Sequence, residues 1–361
     1  MKNFKTWALV PPKGWNSWDV YGASVTEEEV KRNAEYLSKY LKRYGYEYVT
    51  VDIQWYEPTA DSAKYHDFAP LIMDKYARLV PDPKRFPSAK NNMGFKILAD
   101  YIHNLGLKFG IHIMRGIPRQ AVYQDTPIKG TMKTARDIAV NNICSWNSDM
   151  FGVNVDLSEG QAYDDSIIDL YSSWGVDFIK CDDIAYSRSL GNTYKKEIKA
   201  LRRSIVLSLS PSPAPVKNAL FFQKNANMWR ITDDFWDQWD LLLNMFKLAN
   251  IWSQYSAIGT WPDCDMLPLG HIALRSVGSE LPDLDKKTLN MLTKSFLLDI
   301  DNNEIYKGQQ YRDNKFIVWL SQTKNHKYIA VFNISEHNLT ITEKIKIKYG
   351  LLDKNINLWN D

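Results

Sequence analysis

The stretch Ile167-Ile168-Asp169-Leu170-Tyr171-Ser172-Ser173-Trp174-Gly175-Val176-Asp177-Phe178-Ile179-Lys180-Cys181-Asp182-Asp183 decides the fold. Apolar residues recur at helical spacing up to Trp174, Gly175 closes the run, and Val176 to Cys181 follows as a short apolar strand with an acidic tip. Helix, glycine, buried strand and polar tip form the cadence of parallel β/α units. The same unit occurs twice upstream. Ser24 and Thr26, with Glu27 and Glu29 three residues later, mark a helix start, and Val30, Ala34, Leu37 and Leu41 share one face. Gly45 then leads into the strand Tyr46 to Asp52. A helix from about Phe95 to Asn104, with Leu98, Ile102 and Leu105 on one face, passes through Gly106 into the strand Leu107 to Ile113. Ile205 to Leu209, Asn227 to Ile231, Gly259 to Asp263 and an opening strand near Gly14 to Trp18 bring the count to seven. A (β/α)8 TIM barrel is the closed form of that count. The long segments 57–92 and 114–164 follow the second and third strands, and in a barrel they are βα loops on the catalytic face.

After residue 310 the pattern changes. Phe316 to Leu320, Tyr328 to Ile334 and Leu339 to Ile347 read as short strands separated by hairpin-length gaps, which indicates a small antiparallel β domain. The polar stretch 299–313 reads as the boundary, with a barrel over 1–298 and a C-terminal domain over 299–361.

Composition excludes several functions. The chain has 361 residues with 45 Lys+Arg against 42 Asp+Glu, a formal net charge of +3, which argues against tracking nucleic-acid phosphates. It has no run of about 18 apolar residues that could span a membrane. The opening residues lack a signal-peptide apolar stretch, so the chain reads as cytoplasmic. Three widely spaced cysteines (Cys144, Cys181, Cys264) define neither a disulfide framework nor a CxxC site, and the six histidines form no HxH or HExxH pattern. GxGxxG and Walker sequences are also missing. Aromatic content is high, with 13 Trp, 20 Tyr and 14 Phe. A Trp-rich core accounts for most of it, although such rings also stack on the apolar face of a sugar.

The carboxylates fall where strands end. Asp52 ends the second strand, Asp182 and Asp183 the fourth, Asp233 and Asp234 follow the sixth, and Asp263 and Asp265 the seventh. The C-terminal ends of barrel strands converge on one mouth, so these acids meet there. Any one of them could instead cap the next helix. Gathering mutually repelling carboxylates is costly, and glycosyl transfer, with one nucleophile and one proton donor, is a use for such a set. Lys180, two residues before Asp182 and therefore on the same face of its strand, is hard to explain as packing.

The segments Pro12-Lys13-Gly14-Trp15-Asn16-Ser17-Trp18, Lys180-Cys181-Asp182, Trp229-Arg230 with Asp234 four residues on, and Trp261-Pro262-Asp263-Cys264-Asp265-Met266 together resemble glycoside hydrolase family 27, the α-galactosidase (melibiase) and α-N-acetylgalactosaminidase family. The four motifs stand in family order, and the resemblance runs from about residue 10 to at least 334. It implies a (β/α)8 barrel with a C-terminal antiparallel β domain and a retaining exo-glycosidase that needs no cofactor or metal. By position, Asp182 resembles the nucleophile and Asp234 the acid/base, with Asp233 the rival within the doublet. Retention calls for two carboxyls about 5–5.5 Å apart, one charged while the other carries a proton. The resemblance further implies that Lys180 and Arg230 bind ring hydroxyls, that Trp18 forms an aromatic wall, and that Asp52 accepts from hydroxyls on the far side of the ring. Asp263 matches a contact near the 2-substituent or leaving group. Trp15 reads as core, and His112 reads equally as a neutral lining residue or as packing.

Four features depart from the family. Ile53 stands where α-galactosidases carry a second Asp facing the 6-hydroxyl, and an apolar side chain leaves that hydroxyl unpaired. This favours substrates without C6, as in the family's β-L-arabinopyranosidases. Leu209-Ser210-Pro211-Ser212-Pro213 replaces bulkier residues, including a Glu, and leaves room around Ser210 for a 2-acetamido group. The helix ending near Arg203 runs almost directly into Ile205. Only about 14 residues separate Met266 from Glu280, too few for both a helix and an eighth strand, so the barrel is expected to be pruned there. The leading expectation is hydrolysis of terminal α-D-galactosyl or α-N-acetylgalactosaminyl residues. The alternatives are a β-L-arabinopyranosidase with the same pair and a pruned, weakly catalytic sugar-binding relative.

Overall fold

The computed structural model describes residues 3–184, 204–210, 213–236, 238–265 and 280–338. The chain divides into two compact units, Met1–Lys294 and Ser295–Asp361. Along the first unit run β1 (Gly14–Asn16), β2 (Tyr48–Val51), β3 (Lys108–Met114), β4 (Ile117–Pro118), β5 (Ala139–Val140), β6 (Met150–Val153), β7 (Phe178–Asp182), β8 (Val206–Leu209), β9 (Met228–Arg230) and β10 (Trp261–Asp263). Seven of these form one sheet in the order β1-β2-β3-β7-β8-β9-β10, every pairing parallel, which curls as a barrel sheet. They are the seven strands expected from the sequence, with ends that differ by at most two residues. The expected eighth strand and the short crossover, at 266–279, lie outside the described residues, as does the helix end near Arg203.

The helices form for local reasons. Thr26 and Glu29 cap Glu27–Tyr36 reciprocally, the Glu29 carboxylate accepting from the Thr26 amide at 2.7 Å. The helix Ser158–Ser173 ends at Trp174 and Gly175, whose φ of 85° lies in the left-handed region that glycine adopts without strain. Gly14 is required for another reason: a Cβ there would lie 1.9 Å from the Tyr48 carbonyl oxygen across the β1–β2 pairing.

Core packing separates the two ends of the barrel. Tyr48, Phe178, Val206, Met228 and Trp261, each the first residue of its strand, cluster with Ala8 and close the N-terminal end. The Trp261 indole N–H donates to the Ala8 carbonyl at 2.9 Å. Outside the sheet, Trp55 sits at the centre of edge-on contacts with Tyr56, Phe95, Tyr171 and Trp174. Trp15, Trp55, Trp229 and Trp252 are fully buried, so part of the aromatic content, including Trp15, is core. The polar strand tips are left at the opposite end.

The segment after β3 is more ordered than a loop. β4, β5 and β6 form a second, antiparallel sheet in the order β4-β6-β5, packed through Ile117, Ile138, Val153 and Tyr163. β4 and β5 have two residues each and β6 four, too short for readable alternation, so the sequence hides them.

In the second unit the helix Ser295–Asn303 precedes an antiparallel sheet of β11 (Glu304–Arg312), β12 (Phe316–Thr323) and β13 (Lys327–Asn333). β11 occupies the polar stretch read as a boundary; pairing with β12, not its own hydrophobicity, makes it a strand. The expected strand Leu339 to Ile347 lies outside the described residues.

Candidate active site

Parallel register brings the polar tips to one level. Val51 pairs with Ile111, His112 with Lys180, and Lys180 with Ser208, so Asp52, His112, Lys180 and Ser208 stand side by side across four strands. Asp52 is buried (2% exposed) and saturated with donors. Its Oδ2 accepts from Lys180 Nζ at 2.9 Å and from Asn16 Nδ2 at 2.7 Å, and its Oδ1 accepts from the Ile53 amide at 2.7 Å. Burial alone would push this carboxyl up, but Lys180 and the Ile53 amide outweigh it and hold the carboxyl well below the usual range. Lys180 is correspondingly held above its ordinary value: desolvation opposes the charge, and Asp52, Asp182 and Asp265 more than compensate.

Asp182 ends β7 and is also buried. Its Oδ1 accepts from the Asp183 amide at 2.9 Å, and its Oδ2 lies 2.8 Å from His112 Nε2. Desolvation works against its charge; the His112 hydrogen bond and the fields of Lys180 and Arg230 prevail and keep it ionised at neutral pH. Asp183 turns away at a φ of 57° and pairs with Arg115 Nη2 at 2.7 Å. Burial, opposed by Arg115 and reinforced by the Asp182 charge, pushes Asp183 up to about 6.

Arg230 ends β9 and organises the other flank. Nη2 donates to Asp234 Oδ1 at 2.9 Å, Nη1 to Ser210 Oγ at 3.3 Å, and Nε lies 3.2 Å from Asp265 Oδ1. The Asp234 side chain is half exposed (53%) while that of Arg230 is buried, so the carboxyl faces solvent and the guanidinium holds it from behind. Asp233 is exposed. Asp263, at the end of β10, is buried and pushed up to about 8, first by desolvation and then by the charge of Asp265.

An aromatic wall completes the rim. Trp18 stacks on Tyr65 with centroids 5.8 Å apart and planes 23° apart, and Tyr65 leans on Trp146 at 5.6 Å. Burial, and then the charges of Asp52, Asp182 and Asp234, push the Tyr65 phenol up, so the fields of all three carboxylates converge on that ring.

The structure thus brings Trp18, Asp52, Lys180, Asp182, Ser210, Arg230, Asp234 and Asp263 to one end of the sheet. Ile53 is buried immediately beside Asp52, its backbone serving as a ligand of that carboxylate. Pro211 and Ser212 lie outside the described residues. Sequence reading did not single out Tyr65, Trp146, Arg115 or Cys144, whose buried thiol is pushed up to about 12 by desolvation despite backbone hydrogen bonds. All four sit in the long βα segments, where no periodicity marks them. Among the described residues, no three His, Cys, Asp or Glu side chains converge as a metal-binding set, and no helix is long and apolar enough to cross a membrane.

Comparison with known proteins places this geometry. The family model for alpha galactosidase A matches residues 11–160 and 156–281. A β-L-arabinopyranosidase of glycoside hydrolase family 27 from Geobacillus stearothermophilus, solved as a variant in complex with arabinose, is 53% identical, with a TM-score of 0.87 over 92% of this chain and 87% of that one. A candidate α-N-acetylgalactosaminidase from Bacillus halodurans is 49% identical, with a TM-score of 0.76 over 90% of this chain and 84% of that one. An α-galactosidase of rice (Oryza sativa) is 26% identical over 92% of this chain and 73% of its own length.

Proposed function

The chain belongs to glycoside hydrolase family 27 and is a glycoside hydrolase, and from that membership we propose that it is a retaining exo-glycosidase of galacto-configured pyranosides, with terminal β-L-arabinopyranosides as its leading substrate class. The observation that carries the catalytic part is the buried, ionised Asp182 beside Arg230, which in turn holds the half-exposed Asp234. The Asp182 carboxylate attacks the anomeric carbon and forms a glycosyl ester as the bond to the leaving oxygen breaks. Asp234, on the solvent side, protonates that oxygen and then takes a proton from the water that hydrolyses the ester. Asp52 and Lys180, an ion pair at the end of the sheet, present acceptor and donor to ring hydroxyls, and Trp18 with Tyr65 supplies the apolar wall.

The sequence alone put α-D-galactosides or α-N-acetylgalactosaminides first. Similarity to an arabinopyranosidase at 53% identity and the apolar Ile53 beside Asp52 move β-L-arabinopyranosides ahead, because that ring is galactose without C6 and leaves no 6-hydroxyl unpaired. A second reading, α-N-acetylgalactosaminides, is favoured by the small buried Ser210 and by the 49% identical structure.

The test is paired kinetics on p-nitrophenyl β-L-arabinopyranoside, α-D-galactopyranoside and its 2-acetamido analogue, with the anomer of the first-formed sugar read by proton NMR. The expected result is highest kcat/KM on the arabinopyranoside, a product of retained configuration, and turnover abolished by Asp182→Asn. Failure on all three substrates overturns the substrate class, and an inverted product overturns the mechanism.

A further inference from the structure

His112 is wholly buried on β3, directly across the parallel register from Lys180. Its Nε2 lies 2.8 Å from Asp182 Oδ2, and its Nδ1 is buried with no hydrogen-bond partner among the described residues. An ionised carboxylate offers only acceptors, so the proton between the two groups belongs to Nε2. A proton on Nδ1 would be buried with no acceptor among the described residues. The His112 backbone carbonyl accepts from the Trp55 indole N–H at 2.8 Å. Trp55 itself is locked in the aromatic core behind the sheet. Pairing with β2 and β7 orients the strand, and a buried core residue anchors its backbone at His112.

We propose that His112 is a positioning residue for Asp182: as an Nε2–H donor it holds one carboxylate oxygen in place and favours the charged form that attacks and later leaves. The proposal rests on the assignment of Asp182 as nucleophile. Two donors then share the work, His112 on Oδ2 and the Asp183 amide on Oδ1. When the glycosyl ester forms, the carboxylate loses its charge and the His112 hydrogen bond weakens; when water releases the sugar the charge and the bond return. The bond thus favours departure of the carboxylate in the second step. Other groups share this field. Lys180 on β7 and Arg230 on β9 act on Asp182 as cations, while the Asp183 carboxyl, the Tyr65 phenol and the Cys144 thiol feel its charge from β7 and the two loops. Asp52 at the end of β2 faces His112 from the other side.

The test compares His112→Phe, which keeps a ring and removes the donor, with His112→Gln, whose amide nitrogen reaches as far as Nε2. The substrate is the p-nitrophenyl glycoside that the unmodified enzyme turns over best, with thermal unfolding recorded for each variant. His112→Phe is expected to lower kcat tenfold to a hundredfold and to move the acid limb of kcat/KM to higher pH by about one unit, because Asp182 loses the donor that favours its ionised form. His112→Gln is expected to restore the acid limb. An unmoved acid limb in a folded His112→Phe enzyme overturns the proposal, as does an equal defect in His112→Gln. Nitrogen-15 histidine NMR of the unmodified protein is a check that needs no folded variant: a buried ring protonated on Nδ1 alone refutes the donor assignment. Asp182→Ala with azide rescue tests the underlying reading separately. If Asp182→Ala retains turnover, the nucleophile assignment falls; if it is inactive and azide restores it, an unmoved acid limb counts against His112 only.

Discussion

Replacing Lys180 with methionine should destabilise the barrel unit in a way that depends on pH. Lys180 Nζ lies 2.9 Å from the Oδ2 of Asp52, which is 2% exposed. Methionine has a similar length and no charge, so the substitution strands a buried carboxylate. Removing one partner of a buried pair costs about 3–5 kcal/mol. Asp52 keeps the Asn16 amide at 2.7 Å and the Ile53 backbone N–H at 2.7 Å, which places the cost at the lower end, about 3 kcal/mol. That is a large share of the roughly 5–15 kcal/mol that stabilises a typical domain, and it corresponds to a fall in Tm of about 6–12 °C. The pH dependence follows from the sign of the shift. The folded Asp52 carboxyl is held below its unfolded value, so its contribution is present above pH ~4 and is lost as pH falls towards the folded value. Without Lys180 the folded value rises, and the variant has less to lose on acidification. Urea unfolding of both proteins, followed by tryptophan fluorescence at pH 6 and pH 3, should show the gap narrowing by about 1 kcal/mol at the lower pH. Adding Asp52→Asn to Lys180→Met should recover part of the loss, since no stranded charge remains. A variant within about 1 kcal/mol of the parent at pH 6, or a gap that does not change between the two pH values, would refute the reasoning.

Two further outcomes follow from the same site. Ile53→Asp supplies a carboxylate beside Asp52, and the ratio of kcat/KM for the α-D-galactoside to that for the β-L-arabinopyranoside should rise at least about tenfold, with an unchanged ratio counting against the role given to Ile53. Asp263 is pushed up to about 8, so its folded carboxyl resists ionisation and the parent loses stability as pH rises from about 4 towards 8. Asp263→Asn cannot ionise, and in urea titrations it should gain on the parent by ~1–3 kcal/mol across that window; parallel pH profiles would contradict the raised value.

The framework was legible because its signals are local. A helix face, a glycine that adopts left-handed φ at Gly175, and an apolar run from Val176 to Cys181 lie within a few turns of one another, and each carries its own physical cause. The acids at strand ends were legible for the same reason: Asp52, Asp182 and Asp263 fall at or just after the last residue of an apolar strand, and parallel pairing brings such tips to one level. The elements that were missed lack a local signature. β11 is polar and becomes a strand by pairing with β12, and β4, β5 and β6 have only two to four residues each.

The amino-acid sequence by itself therefore determined the β/α architecture, the barrel end at which polar side chains gather, and the residue types available for chemistry. Only the tertiary structure decided which of them touch. Lys180 meets Asp52 across 128 residues and His112 meets Asp182 across 70, and Tyr65 stacks on Trp18 from a segment with no periodicity. Spacing along a chain reports which face of one element a side chain occupies. Partners on different strands are set by sheet register and by the packing that holds each strand in place, and no local pattern encodes that.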